Sequence, residues 1–225
     1  MTEDPAPRAT DQAAEPASGL IVVGGTAGRI EAAALDLFFE RGFRSTSMRD
    51  IAQACGITAA ALYNHFASKD RILYSMVQRL HVELDSVLVA ADRGAGDDPR
   101  ERLAALARAH AIIHTRHRKD ARVANSEIFS LEEPGRSEII AFRRHGRDMF
   151  QAAIEDGART GVFEVPDVPV LTFAILNMGI RIADWFQPGG RLTEEEVAGI
   201  HAELALRMAG VTEPARRTSG GRRRR

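Results

Sequence analysis

The chain has 225 residues, 44% of them hydrophobic, and a formal net charge of −1. That length holds one large or two small domains with a real core, and the near-neutral balance excludes a protein that holds polyanions by bulk charge alone. A single cysteine, Cys55, excludes an internal disulfide and fits a reducing cytoplasm, while no apolar run reads as long enough to span a membrane.

Residues 1–19 are rich in Ala, Pro, Thr, Asp and Glu, lack an apolar period and read as a disordered tail. The apolar run at 20–23 follows an acidic start, so it is not a signal peptide. The segment 22–28, VVGGTAG, mimics a dinucleotide-binding loop. Counted from Gly24, however, the required glycines fall on Thr26 and Arg29, and no second strand follows, so it reads as a lead-in to the first helix. That helix is expected over 26–41, with Ile30, Ala33, Ala34, Leu37 and Phe38 on one face, and Gly42 ends it.

The stretch 45–69, STSMRDIAQACGITAAALYNHFASK, follows. Ser47 caps a short helix, and Asp50 three residues later completes a capping box. Gly56 stands where a helix C-terminus needs positive φ, Ile57 turns inward, and Thr58 caps a second short helix, AAALYNHF. Cap, apolar face, glycine, apolar residue and cap make a helix-turn-helix unit, whose second helix lies in the DNA major groove. Segment 26–80 carries seven basic and five acidic residues, a weak local excess of positive charge.

Residues 29–73 resemble the DNA-binding domain of the TetR family of bacterial transcriptional regulators. The residues that carry the likeness are Ala33, Leu37, Phe38, Gly42, Phe43, Thr46, Ile51, Ala52, Gly56, Leu62, Tyr63, His65, Phe66 and Lys69, with LYNHFASKD the most specific run. The resemblance implies that Tyr63, His65 and Lys69 hold the DNA backbone. Thr46, Ser47 and Lys69 stand at or beside helix starts, where backbone amides favour phosphate. Arg49 reaches a base edge or a phosphate. Thr58, Ala59, Ala60 and Ala61 lead the recognition helix, and alanines there contact thymine methyl groups. Specificity then rests on Arg49, Thr58, Asn64 and DNA shape.

Beyond the reader, helices are expected over 69–91, 99–114, 120–131, 137–159, 170–186 and 193–209, about nine in all. No strand and no internal repeat is expected. Leu73, Val77, Leu80, Leu84 and Leu88 form the stripe of the first long helix; Val197, Ile200, Leu204 and Met208 form that of the last. Thr193 and Glu196 make a second capping box. The helix over 170–186 is the most apolar, with Leu171, Ile175, Met178, Ile182 and Trp185 on one face and Phe173, Asn177, Ile180 and Asp184 on the other; it reads as buried on both. The boundaries are a tail over 1–19, a reader over 20–68, a sensor and dimerisation domain over 69–211 and a basic tail over 212–225 ending RRRR.

Two polar clusters stand out. His110, His114 and His117, at i, i+4 and i+7, have spacing that suits a metal ion. Their neighbours Arg116, Arg118, Lys119 and Arg122 oppose a cation, so no metal is assigned; the cluster reads as solvated or at a pocket edge. Arg143, Arg144, His145 and Arg147 read as an exposed basic run. Asn177, Arg181 and Asp184 orient a ligand, pair across a dimer or satisfy one another.

The resemblance implies an all-α, cytoplasmic homodimer whose last two long helices form a four-helix interface around a two-fold axis. It also implies a small-molecule pocket whose occupation releases a palindromic operator in double-stranded DNA. Phe173 and Trp185 are expected to line that pocket, and Asn177 and Arg181 to anchor a polar head. The run ADWFQPGGRLTEEEVA is similar to members that answer to acyl-CoA thioesters, although an apolar pocket suits antibiotics and signalling lactones as well. No catalytic arrangement, cofactor or membrane association is expected. The rival reading is a TetR-like protein that works through a protein partner and binds DNA weakly.

Overall fold

The computed structural model describes residues 24–211. Both tails, the apolar run at 20–23 and the first two residues of VVGGTAG lie outside them. Among the described residues the chain is all helical: α1 Gly25–Arg41, α2 Met48–Cys55, α3 Ala59–Tyr63, α4 Lys69–Gly94, α5 Pro99–Arg116, α6 Arg118–Ser126, α7 Gly135–Arg159, α8 Val168–Ile180, α9 Ile182–Trp185 and α10 Glu194–Met208. A single 3-10 turn, Ile128–Ser130, follows α6, and one isolated antiparallel bridge joins Phe163 to Val211.

Local chemistry sets the ends. Both expected capping boxes form, Ser47 with Asp50 and Thr193 with Glu196; such a cap is worth about 1 kcal/mol. Thr58 caps α3, Ser68 caps α4, Asp98 caps α5 and Asp167 caps α8. Gly56 closes α2 at φ 67° and ψ 32°, a left-handed conformation that glycine adopts without steric cost. The recognition helix is shorter than AAALYNHF: it ends at Tyr63, and Asn64 to Phe66 form a tight turn on the Leu62 carbonyl.

The expected helix over 170–186 is two pieces. Arg181 is the C-cap of α8 and the N-cap of α9, and Asp184 N–H donates to the Arg181 carbonyl, which tightens the last turn. The expectation of burial on both faces is not met. Leu171, Ile175 and Ile182 are buried, but Val170, Phe173 and Trp185 are more than half exposed. Segment Val168–Trp185 also has the length and hydropathy to cross a membrane, contrary to the reading that no run does. One face packs on α5 and α7, and the helix is broken at Arg181, whose side chain pairs with Asp184.

One buried cluster runs from Ile30 and Phe38 in α1 through Leu62 and Leu73 to Ile113, Val123 and Ile139, so the reader core continues into the sensor. Farther out, α10 lies along α5. The residues it buries there are Val197, Ala198, His201, Ala202 and Ala205, against Ala104, Ala107 and Ala111 of α5. Small side chains let two helices approach closely. The expected stripe therefore divides: Val197 is buried against α5, while Ile200, Leu204 and Met208 point outward, 37 to 42% exposed.

Candidate functional site

Two sites result, one before the start of α4 and one beside its second half. The first is the reader face. Ser47, Arg49, Thr58, Ala60, Tyr63, Asn64 and His65 are exposed there, and Ala59 and Ala61 are half-buried. Tyr63 is 54% exposed, so it is not a packing residue of the unit. Two residues of the expected set are tied inward instead. Thr46 is buried; its hydroxyl donates to the Gly42 carbonyl and its amide to the Phe43 carbonyl. Thr46 therefore holds the α1–α2 turn and has no donor left for phosphate. Lys69 Nζ donates to the carbonyls of Phe43 and Thr46, each at 2.7 Å, and lies 4.2 Å from the Phe43 ring centre. Two of its three protons serve the same turn.

The second site is a cavity of about 390 Å³ between α4, α5, α6, α7 and α8. Its apolar wall includes Leu80, Leu84, Leu88, Ile113, Leu176 and Ile180. The structure separates the four expected ligand residues. Phe173 and Asn177 line the cavity. Arg181 and Trp185 do not: past the break in the helix they turn to the surface, where the Arg181 side chain is 73% exposed and pairs with Asp184.

The cationic group at the cavity is Arg143, from the run read as an exposed basic stretch. Its Nε donates to His81 Nε2 at 3.1 Å, and its Nη2 to the Ala124 carbonyl at 3.0 Å and Asn125 Oδ1 at 3.1 Å. No carboxylate pairs with it among the described residues, and burial pulls its guanidinium below the ordinary arginine range. A largely buried cation without a counter-ion is a site prepared for an anion. Arg144 and Arg147 extend this cationic side toward solvent, Arg147 sharing its charge with Asp148. The helical period carried the missed signal: Ile139, Arg143, Gly146 and Phe150 fall on one stripe, and the other three are buried.

The histidines are not solvated either. His110, His114 and His117 are each at most 5% exposed, and no group of side chains suited to a metal occurs among the described residues. His117 Nε2 meets Glu83 Oε1 at 3.2 Å, away from the other two. His81, His110 and His114 line the cavity. Burial holds His81 and His114 down to about 4, and His110 well below the usual imidazole range, so all three are neutral at neutral pH. His110 stands against Gly179 of α8, where a Cβ would lie 2.2 Å from its Nδ1; no larger residue fits.

Between the two sites lies α6. Its Ala121 and Asn125 face the cavity. Its Arg118 and Arg122 lie over the Phe39 ring of α1 at 5.2 and 4.8 Å, and Lys119 Nζ meets Asp36 Oδ1 at 2.6 Å. Arg118, Lys119 and Arg122 are thus the clasp between sensor and reader.

Comparison with known proteins agrees with this division. Residues 30–76 match the model of bacterial regulatory proteins of the tetR family, and residues 96–209 match the tetracyclin repressor-like C-terminal domain. The HTH-type transcriptional repressor KstR2 of Mycobacterium tuberculosis is 32% identical over 79% of this chain and 88% of its own. The structure of that protein, described as a ketosteroid transcriptional regulator, superposes with a TM-score of 0.78 at 27% identity, covering 85% of this chain and 97% of the other. A tetR-family regulatory protein from Rhodococcus RHA1 gives 0.77 at 30% identity, covering 84% and 100%. AibR in complex with isovaleryl coenzyme A and operator DNA gives 0.70 at 28% identity, covering 80% and 97%.

Proposed function

The chain belongs to the tetR family of bacterial regulatory proteins, and from that premise we propose that it is a homodimeric repressor released from its operator by an amphipathic anion. The reader comprises residues 20–68 and the sensor 69–211. Ser47, Arg49, Thr58, Ala60, Tyr63, Asn64 and His65 form the DNA face, with Ala59 and Ala61 at its edge. Backbone contacts from Tyr63 and His65 position the protein; Arg49, Thr58 and Asn64 read bases.

The observation that carries the effector reading is Arg143, a largely buried cation with no carboxylate partner among the described residues, in a cavity with an apolar wall of leucines and isoleucines. An acyl chain fits the apolar wall and an anionic head fits the guanidinium. The likeness to AibR, which is described with isovaleryl coenzyme A, favours an acyl-CoA thioester. Release follows from what Arg143 holds. Its Nη2 grips the C-terminal end of α6, whose other end clasps Phe39 and Asp36 of α1. An anion that draws the guanidinium into the cavity pulls that end of α6 with it through Nη2, and α6 then moves the reader. A ligand that prefers the DNA-incompetent state must weaken operator binding by the same factor.

The dimer face combines Val170, Phe173 and Trp185 of α8 and α9 with Ile200, Leu204 and Met208 of α10, the exposed large apolar residues of the last helices. Phe173 thus touches both the cavity and this face. Mass spectrometry of small molecules carried through purification tests the effector reading. An acyl-CoA or another apolar anion supports it, whereas a neutral or cationic ligand overturns it.

A further inference from the structure

His81 and His114 are placed alike in the cavity wall, and only one is satisfied. Each directs Nδ1 at the carbonyl four residues earlier: His81 at Val77 O, 2.7 Å, and His114 at His110 O, 2.8 Å. A carbonyl oxygen only accepts, so Nδ1 carries the proton in both rings. A neutral imidazole protonated at Nδ1 has a bare lone pair at Nε2. At His81 that lone pair receives Arg143 Nε–H at 3.1 Å. At His114 nothing among the described residues supplies a donor, although the side chain is 4% exposed and lines the cavity.

We infer that the effector carries a hydroxyl that donates to His114 Nε2, in addition to the anionic head that Arg143 receives. This rests on the effector reading above. The ring cannot escape the demand by flipping, because that breaks the bond to the His110 carbonyl. His110 also stacks on it with ring centres 4.3 Å apart, and is itself pinned between Phe150 and Gly179. Nor does His114 become a donor by protonation near neutral pH. The charged and titratable groups around it are Arg143, His81, His110 and His201; the carboxylate in the same cavity wall, Asp85, is paired with His145, and burial and the Arg143 charge both oppose a second proton. Arg143 is held by His81, and His81 and His114 line the same cavity, so the hydroxyl belongs near the head of the molecule rather than at its tail. A keto oxygen at that place sets one acceptor against another. The cavity therefore selects a hydroxyacyl compound over its saturated or oxo counterpart.

Calorimetric titration of the full-length protein with dodecanoate and its β-hydroxy, β-oxo and ω-hydroxy forms tests this, each compound as free acid and as coenzyme A thioester. A neutral hydrogen bond is worth enough for the β-hydroxy form of one source to bind about tenfold tighter than the plain chain. The β-oxo form binds more weakly than the plain chain, and the ω-hydroxy form gains nothing. The free-acid and thioester arms show which head the site takes. His114→Phe, checked for helicity by circular dichroism, removes the β-hydroxy advantage, so that the variant binds plain and β-hydroxy chains alike. Equal binding of plain and β-hydroxy chains in the wild type overturns the inference and leaves the amphipathic-anion reading standing. So does an advantage that survives His114→Phe. Failure of every compound to bind overturns both.

Discussion

Replacing Arg143 by Met keeps most of the aliphatic stem and removes the charge. The guanidinium has five N–H groups. Nε and Nη2 already serve His81, Ala124 and Asn125, which leaves the Nη1 protons for a ligand. Two charge-assisted bonds at about 1.5 to 3 kcal/mol each give about 3 kcal/mol at the lower end. At about 1.4 kcal/mol per decade that is more than a hundredfold in effector affinity. The cost to the fold is small, about 2 kcal/mol or less, because losing three hydrogen bonds is offset by removing a buried cation that has no counter-ion. The assay is fluorescence anisotropy of labelled operator with micromolar dodecanoyl coenzyme A. Wild type releases DNA, and Arg143→Met holds it until the effector is about a hundredfold more concentrated. Arg181→Ala, outside the cavity, behaves as wild type, and dodecanol, apolar but uncharged, releases neither. Equal release of wild type and Arg143→Met refutes the reasoning, because detergent-like disruption acts on both alike.

Tyr63→Ala with His65→Ala weakens operator binding about tenfold or more with unchanged helicity, read by gel shift, since both side chains are exposed and hold no part of the core; unchanged binding removes them from the interface. Leu204→Arg shifts the dimer toward monomer in analytical ultracentrifugation. Leu204 is 37% exposed on the free chain; covering that remainder is worth about 1 kcal/mol per protomer, and an unpaired charge in its place costs several more. A tight dimer in that variant places the interface elsewhere. Stability to urea falls by about 4 kcal/mol or more between pH 7 and pH 5. His81 and His114 are held at about 4 in the fold and His110 well below the usual imidazole range, so over that range the unfolded chain takes up protons that the folded chain refuses. The buried carboxyl of Asp120, raised by burial, works the other way and trims the loss. A flat profile contradicts the burial of these imidazoles.

The reader was legible because its signals are local. Ser47 and Asp50, Gly56, Thr58 and Ser68 each fix one backbone feature within three or four residues, and each forms as expected. The sensor was less so. Arg143, His110 and His114 lie on apolar stripes at helical spacing, but residue type was read ahead of position: Arg143 was placed outside, and the two histidines in solvent or at a pocket edge, the second of which agrees with the cavity. The pattern marked them as inward; only the facing helices show that the space they meet is a cavity. The stripe of α10 divides by size: Val197 turns inward with the alanines at 198, 202 and 205, which make the tight contact with α5, and Ile200, Leu204 and Met208 are left on the outward side. Arg181 was expected at the pocket from an unbroken helical period, and the break at that residue carries it away.

The claim that the chain is an operator-reading repressor is tested most directly by selecting duplex DNA from a random library with the purified protein and footprinting the enriched sequence. A palindrome protected over two half-sites, with binding lost in Tyr63→Ala with His65→Ala, is the predicted result. Enrichment of no sequence, with only weak attachment that salt abolishes, contradicts it and points to a protein that acts through a protein partner.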